Sequence, residues 1–98
     1  MMVLQDILKD VAIKSLTGRG DLSVENIQID SRQVSQSSCF IAIKGTVSDG
    51  HDFIDKAIEK GAVAIVCEVL PKDIKPSVTY VEVGNSSVAA GMMAHHFY

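Results

Sequence analysis

Hydrophobic positions follow two different periods along the first third of the chain. Residues 4–8 carry apolar side chains at the spacing of a short amphipathic helix, and residues 11–16 alternate with polar neighbours as a half-buried strand does. The two glycines of Gly18–Asp21 predict a turn. A second alternating segment, Ile27–Asp30, predicts another strand that leads into a polar loop.

The middle of the chain changes from strand to helix and back to strand. Cys39–Ile43 is apolar throughout, as in a strand that is covered on both faces. After a loop that holds two glycines, residues 52–61 carry one apolar stripe, acidic residues near the start and a glycine at the stop, which predicts a helix of about ten residues. Ala62–Cys67 is a further apolar strand, so this segment predicts a parallel βαβ unit with a right-handed crossover.

The last third predicts one more strand and one more helix. Pro71 and Pro76 bracket a polar loop, and Val78–Val83 has the pattern of a strand. Asn85 is a favourable N-cap for a final helix. The apolar face of that helix is expected to contain Val88, Ala89, Met92, Met93 and Phe97. The expected fold is a single α/β domain with a small mixed, largely parallel sheet that is flanked by helices.

Composition narrows the range of functions. The 98 residues are 47% hydrophobic and 21% charged, and this length and hydrophobic content are enough to bury one core without disulfides or metals. The formal net charge is −3. The chain lacks the clustered basic face of a nucleic-acid-binding domain. It also lacks a recognisable secretory signal and an apolar run of membrane-spanning length, so we expect a cytoplasmic protein with no nucleic-acid or membrane partner. Cys39 and Cys67 lie in apolar runs and are expected to be buried thiols.

Several short motifs match known signatures only in part. Gly45 and Gly50 have the spacing of P-loop glycines, but His51 and Asp52 stand where a P-loop has Lys and Ser or Thr. We therefore expect this loop not to bind ATP, and we expect Gly50 to allow a positive φ or a close backbone approach to a ligand. The two adjacent histidines near the end of the chain project about 100° apart on a helix and do not suit a shared metal. No catalytic residue and no metal site are expected.

Polar residues that follow two of the predicted strands form the best candidate site. Asp30-Ser31-Arg32 follows one strand, and Thr46–His51 follows another. Ligands of open α/β sheets bind at the carboxyl ends of strands, so these two loops are expected to converge on a small-molecule site. A hydroxyl, backbone amides and one arginine suit the carbonyls and phosphates of a nucleotide. Two roles stay open for Arg32, which either contacts the ligand or ties loops together through its guanidinium fork.

The same residues carry a resemblance to a known family. Six motifs occur in order, namely Asp30-Ser31-Arg32, Cys39-Phe40-Ile41-Ala42, Lys44-Gly45, Asp49-Gly50-His51-Asp52-Phe53-Ile54, Ala57 and Gly61-Ala62. In these motifs, from about Leu4 to Tyr98, the chain resembles the N-terminal domain of the Mur ligases, the ATP-dependent amino-acid ligases of peptidoglycan precursor synthesis. It departs from the family's usual pattern at Gln36–Cys39, where a glycine and an acidic residue commonly occur.

The resemblance implies a domain organisation and a set of site residues. Residues 1–98 would be the UDP-substrate-binding domain, with the central ATP-binding domain and the C-terminal domain of the same protein outside this chain. ATP and Mg²⁺ would serve the full-length enzyme and would not bind here, so the 98 residues alone would be inactive. The UDP end of the UDP-N-acetylmuramoyl peptide would contact Ile29, Ser31, Arg32, Thr46, Val47, Ser48, Asp49, Gly50 and His51. The final helix has no stop signal, which favours the same interpretation.

Within the family, the motifs most resemble the ligases that add the third residue of the stem peptide. Their substrate is UDP-N-acetylmuramoyl-L-alanyl-D-glutamate, and the added residue is meso-diaminopimelate or lysine. The ligase that adds D-alanyl-D-alanine is the alternative within the family. A stand-alone module that binds UDP-sugars is the alternative from another functional class.

Overall fold

A computed structural model describes residues 1–98, and a five-stranded mixed sheet is its main element. The strands are β1 (Met2–Val3), β2 (Ile13–Thr17), β3 (Ser23–Val24), β4 (Asn26–Gln28), β5 (Ser38–Ile41), β6 (Ala64–Cys67) and β7 (Thr79–Val83). The α-helices are α1 (Leu4–Ile7), α2 (Ile54–Glu59) and α3 (Ser86–Phe97). Two short 3₁₀ turns, Ser31–Gln33 and Gly50–Phe53, follow β4 and the loop after β5.

The sheet has the strand order β2-β7-β6-β5-β4, and β4 to β7 all run parallel. Only the edge strand β2 is antiparallel, and it pairs with β7. β1 and β3 form a separate two-stranded antiparallel ribbon. The expected fold class, a small and largely parallel α/β sheet with flanking helices, is therefore confirmed. The parallel β5-α2-β6 unit is the one that the apolar run, the helical stripe and the second apolar run predict.

Two separate cores pack on the two faces of the sheet because successive side chains of a strand point to opposite sides. All four residues of both β5 and β6 are buried, as the unbroken apolar runs predict. The first core contains Leu4, Ile7, Leu8, Val24, Cys39, Ile41, Ala64, Val66, Val81, Val83, Ala89 and Met93. The second core contains Val34, Phe40, Ala42, Ile54, Ala57, Ala62, Ile65, Cys67, Val78 and Tyr80.

The two cysteines lie on opposite faces of the sheet, one in each core, and both are free and buried as expected. Burial raises the pKa of the Cys39 thiol to about 12. Burial, with a smaller contribution from the Glu82 carboxylate, raises the pKa of Cys67 to about 11. Both thiols are therefore protonated at neutral pH. No helix of the chain combines the length and the apolar character needed to cross a membrane.

Helix α3 begins where its capping residue predicts, but its buried face is narrower than expected. The Asn85 side chain accepts a hydrogen bond from the Val88 backbone N–H at 3.1 Å. The buried residues are Ser86, Ala89 and Met93. Val88 is 66% exposed, so its assignment to the apolar face is wrong. The reason is geometric, since one residue step turns the helix by about 100° and Ala89 already faces the core.

Three other local expectations need correction. The helix predicted from Asp52 begins with a 3₁₀ turn, and only Ile54–Glu59 is α-helical. β2 is an exposed edge strand and not a half-buried one, because neither core extends over its faces and contacts Ile13 or Leu16. The β1-β3 ribbon was not predicted, because two-residue strands are too short to show a period.

The turn before β5 departs from the family's usual sequence, and its backbone is unusual too. Ser37 has a φ of 64°, in the left-handed region that glycine tolerates best. Hydrogen bonds fix the turn, since Ser38 Oγ donates to Asn26 Oδ1 at 2.5 Å and accepts from the Ser35 N–H at 3.0 Å. The turn is therefore built around polar side chains in place of a glycine.

Candidate functional site at the carboxyl edge of the sheet

Neighbouring parallel strands bring the two predicted loops together. β4 and β5 are adjacent and parallel, so the segments that follow them emerge at the same edge of the sheet. A cavity of about 510 Å³ lies between these segments. Its lining residues are Ile29, Asp30, Ser31, Arg32, Phe40, Ile43, Gly45, Ser48, Gly50 and Phe53. The size falls within the range of about 300–1,000 Å³ that is usual for small-molecule sites.

Both loops use an aspartate to cap a 3₁₀ turn. The Asp30 carboxylate accepts a hydrogen bond from the Arg32 backbone N–H at 2.9 Å, and Asp49 accepts one from the His51 N–H at 2.9 Å. The two caps have nearly the same backbone angles, with φ and ψ of −111° and 116° at Asp30 and of −109° and 120° at Asp49. The motifs Asp-Ser-Arg and Asp-Gly-His therefore encode the same local structure twice.

Arg32 forms an ion pair within its own turn. Its Nε and Nη2 atoms donate to the Asp30 carboxylate at 3.0 and 2.8 Å, and this hydrogen bonding is the main cause that lowers the pKa of Asp30. The Arg32 side chain is 84% exposed and lines the cavity, and the Nη1 side of its fork points away from this pairing. The fork thus braces its own turn and leaves Nη1 donors free for a ligand. It does not tie the two loops together.

The loop after β5 folds back on itself. Lys44 and Asp49 form an antiparallel bridge, and the Gly45 N–H donates to the Ser48 carbonyl at 2.8 Å. This places Thr46 and Val47 at the tip, where Val47 is 98% exposed. The loop is a compact hairpin whose tip points into solvent beside the cavity.

Gly50 is required by packing. A Cβ atom on Gly50 would lie 2.7 Å from Ile43 N and 3.1 Å from Ala42 Cα, both backbone atoms. This close approach is to Ala42 and Ile43, the two residues that follow β5, whereas the expectation named a ligand. The expectation of a positive φ is wrong, because the glycines with positive φ are Gly18 and Gly61.

His51 is engaged on both ring nitrogens. Nδ1 lies 2.7 Å from Asp49 Oδ1, and Nε2 accepts a hydrogen bond from the Glu68 backbone N–H at 2.9 Å. The side chain is only 16% exposed and does not line the cavity. The His51 backbone N–H, followed by its side chain, lowers the pKa of Asp49. Glu68 in turn accepts a hydrogen bond from the Ser86 N–H at 2.8 Å, at the start of α3.

The structure brings together five of the nine residues that the sequence proposed for the site. Those that line the cavity are Ile29, Ser31, Arg32, Ser48 and Gly50. Thr46 and Val47 form the hairpin tip, and Asp49 and His51 lie behind the cavity wall. The lining residues outside those nine are Asp30, which the sequence placed in the candidate loop without a ligand contact, and Phe40, Ile43, Gly45 and Phe53, which it missed. Four of these belong to the motifs that carried the family resemblance, so the motif boundaries were an available signal.

The loop between β5 and α2 does not fit the phosphates of ATP. The amides of Gly45 and Gly50, which a P-loop would turn toward phosphate, donate instead to the carbonyls of Ser48 and Ile43. Asp52 adds a negative charge where a P-loop has its Ser or Thr. The chain also brings together no group of three or more His, Cys, Asp or Glu residues with the geometry of a metal site.

Comparison with known proteins places this chain in a family. A family model described as "Mur ligase family, catalytic domain" matches residues 23–98. The chain therefore belongs to the Mur ligase family. Two similar curated proteins are the UDP-N-acetylmuramoyl-L-alanyl-D-glutamate--2,6-diaminopimelate ligases of Bacteroides fragilis and Cytophaga hutchinsonii, 43% and 44% identical to this chain over 97 and 98 residues. The matches cover 99% of this chain, which spans about a fifth (20%) of the length of each relative.

Solved structures show the same fold. A crystal structure of MurF from Acinetobacter baumannii superposes with a TM-score of 0.81 at 18% identity, and the match covers 96% of this chain and 20% of that one. MurF ligase from Thermotoga maritima, solved in complex with ADP, gives a TM-score of 0.62 at 32% identity over 70% of this chain and 16% of that one. The family resemblance of the motifs is thus confirmed.

Proposed function

We propose that this chain is the substrate-anchoring domain of an ATP-dependent ligase of peptidoglycan synthesis. The ligase adds a third stem-peptide residue, diaminopimelate or lysine, to UDP-N-acetylmuramoyl-L-alanyl-D-glutamate. The cavity between the two capped turns carries this proposal, because a nucleotide end of the substrate fits its size and its mixture of apolar and polar groups. The curated relatives at 43% and 44% identity, whose names specify 2,6-diaminopimelate ligases, support diaminopimelate as the added residue.

The cavity offers different groups to the two parts of a uridine diphosphate. Ile29 and Phe53 supply apolar surface for the flat faces of the uracil ring. The Ser31 hydroxyl both donates and accepts, as the carbonyl and N–H groups of uracil require. Arg32 keeps guanidinium hydrogens free for the diphosphate. Arg32 supplies a local positive charge for a single diphosphate, so the net charge of −3 presents no obstacle.

The remaining proposed site residues shape the second wall. Ser48 and Gly50 line the cavity, and Thr46 and Val47 lie beside it at the exposed hairpin tip. Asp49 and His51 support this wall from behind. The muramoyl peptide would extend out of the open cavity toward other domains of the same protein, which supply ATP, Mg²⁺ and the reacting groups. In this proposal the 98 residues bind and orient the substrate, perform no chemistry, and act in the cytoplasm without a nucleic-acid or membrane partner.

The proposal predicts that the chain binds uridine diphosphate and that Ser31 contributes directly. Ser31→Ala removes one hydrogen-bonding group and is expected to weaken binding by about 1–2 kcal/mol, or about 5- to 30-fold, as measured by isothermal titration calorimetry. Ser87→Ala, on the exposed side of α3, is the matched control and is expected to leave the affinity unchanged.

Two results would contradict this proposal. One is the absence of uridine diphosphate binding by the wild-type chain. The other is a Ser31→Ala variant that binds as tightly as the wild type, which would remove Ser31 from the site. Uridine diphosphate binding combined with a complete polypeptide that has no ligase activity would favour a UDP-sugar-binding module instead.

A further inference from the structure

We propose that His51 is a positioning residue of the uridine diphosphate site: it fixes the hairpin of residues 44–49 to the end of β6 and does not touch the ligand. This inference rests on the proposed function, because the hairpin is one wall of the proposed site. It assigns to His51 an indirect role in place of the direct contact that its motif implies.

The hydrogen bonds of the ring define its tautomer. Nε2 accepts from the Glu68 backbone N–H at 2.9 Å, so this nitrogen carries no proton. The proton is therefore on Nδ1, which donates to Asp49 Oδ1 at 2.7 Å. A neutral imidazole thus has one donor and one acceptor, and both are used within the protein. Neither nitrogen is left for a ligand.

The contacts of His51 connect three parts of the sheet edge. Asp49 belongs to the hairpin after β5, Glu68 follows β6, and the Glu68 carboxylate accepts from the Ser86 N–H at the start of α3. The other backbone bonds that shape the hairpin, Gly45 to Ser48 and Gly50 to Ile43, stay within β5 and its own loop. The ring is therefore the part of this network that joins the hairpin to the neighbouring strand.

Protonation of Nε2 would break this connection. An imidazolium has two donors and no acceptor, so it cannot receive the Glu68 N–H. Asp49 is the charged side chain that contacts the ring, and the carboxylate of Glu68 instead accepts from the Ser86 N–H. The neutral ring is therefore the form that holds the hairpin in place, and loss of the hairpin position should weaken ligand binding.

Three substitutions test the contributions of the two ring nitrogens separately. In His51→Gln the side-chain oxygen can replace Nε2 as the acceptor for Glu68, whereas in His51→Asn the amide can replace only Nδ1. His51→Ala removes both. The probe is UDP-N-acetylglucosamine, whose diphosphate diester does not titrate between about pH 5 and 8, and the titrations use the whole 98-residue chain.

The expected order of affinity depends on whether the side chain at position 51 can accept the hydrogen bond from the Glu68 N–H. His51→Asn and His51→Ala should bind the probe at least about fivefold more weakly than the wild type, because the Glu68 N–H loses its partner. His51→Gln should recover most of that loss. His95→Ala, an exposed histidine on α3, is the matched control.

Nitrogen-15 NMR of the imidazole tests the position of the ring without relying on affinity. The ligand-free chain should show a protonated Nδ1 and an unprotonated Nε2, and both signals should stay in place when the probe is added. If His51→Ala fails to fold, the comparison of His51→Gln with His51→Asn still decides, with circular dichroism to check that both are folded.

The outcomes distinguish this inference from the proposed function. A wild-type chain that does not bind the probe overturns both. Normal wild-type binding with equal affinity in all three His51 variants overturns only the positioning role. A proton on Nε2, or a large change of the ring signals on addition of the probe, likewise overturns it and assigns His51 a direct contact.

Discussion

At the scale of single residues, Gly50 shows how closely the site is packed against its own strand. A methyl group at this position would lie 2.7 Å from Ile43 N and 3.0 Å from Ile43 O. These atoms belong to the backbone just after β5 and cannot rotate away as a side chain can. The second wall of the cavity therefore depends on the absence of a side chain, and not on left-handed backbone geometry.

Substitution of Gly50 and Gly91 by alanine should have opposite effects. Gly50→Ala is expected to lower the free energy of unfolding by about 1–3 kcal/mol, the usual cost of overpacking. Gly91 lies within α3, and a Cβ there would meet nothing within 4 Å. Gly91→Ala should therefore raise the free energy of unfolding by about 0.5–1 kcal/mol, because alanine has the higher helix propensity.

Urea denaturation followed by circular dichroism measures both changes. Gly50→Ala should also lose affinity for uridine diphosphate, whereas Gly91→Ala should not. A Gly50→Ala variant as stable as the wild type would show that the loop shifts to accept the methyl group, and it would contradict the packing argument.

Single residues also show why part of the site was predictable. Ser31 and Arg32 directly follow a strand, so local sequence was enough to place them at the sheet edge. The contact between His51 and Glu68 was not predictable, because it joins residues 17 positions apart through a backbone N–H that has no sequence signature. Phe40 was missed for a related reason, since a fully buried strand residue that also forms a cavity floor has the pattern of any core residue.

At the scale of elements, the two aspartate caps make the site sensitive to acid. The Arg32 side chain is the main cause that lowers the pKa of Asp30, and the His51 backbone N–H is the main cause for Asp49. A carboxylate whose pKa is lower in the folded chain than in the unfolded chain stabilises the fold at pH values above its pKa in the unfolded chain. That contribution is lost as the pH falls through the lower, folded pKa.

Asp49→Asn is expected to flatten the acid dependence of stability. Asparagine still caps the turn, but it does not titrate. Between about pH 4 and about pH 2, the melting temperature of the wild type should fall more steeply than that of Asp49→Asn, so the two curves converge in acid. Parallel curves for the wild type and Asp49→Asn would rule out the proposed stabilisation by this carboxylate.

Elements differed in how well the sequence predicted them. β5 and β6 were predicted because strands buried on both faces are apolar without interruption. The sequence predicted an α-helix from Asp52, whereas a 3₁₀ turn covers residues 50–53 and the α-helix begins at Ile54. An apolar stripe along the sequence does not distinguish a continuous α-helix from a 3₁₀ turn that leads into one. β2 was correctly predicted as a strand, but its exposure depends on its place at the edge of the sheet, which only tertiary structure decides.

At the scale of the whole molecule, one sheet connects two cores that have no residue in common. β5 contributes Cys39 to the first core and Phe40 to the second, and β6 contributes Ala64 and Ile65 in the same way. Loss of either strand would therefore disrupt both faces at once. We expect the chain to unfold in one cooperative transition, as single domains of this size usually do.

The two buried thiols report on that cooperativity and on ligand binding together. Cys39 and Cys67 lie in different cores, and their pKa values of about 12 and about 11 leave almost no thiolate at pH 8. A thiol reagent should therefore label both cysteines slowly and at similar rates, because each is exposed mainly by global unfolding.

Uridine diphosphate at 100 times its dissociation constant stabilises the folded chain by about 2.7 kcal/mol and should slow both reactions about 100-fold. Peptide mass spectrometry of time points resolves the two sites without substitution. Rapid labelling of Cys67 alone would contradict a single unfolding transition, because it would show that the face covered by α2 opens independently. Labelling rates that do not change when the ligand is added would show that labelling does not pass through global unfolding.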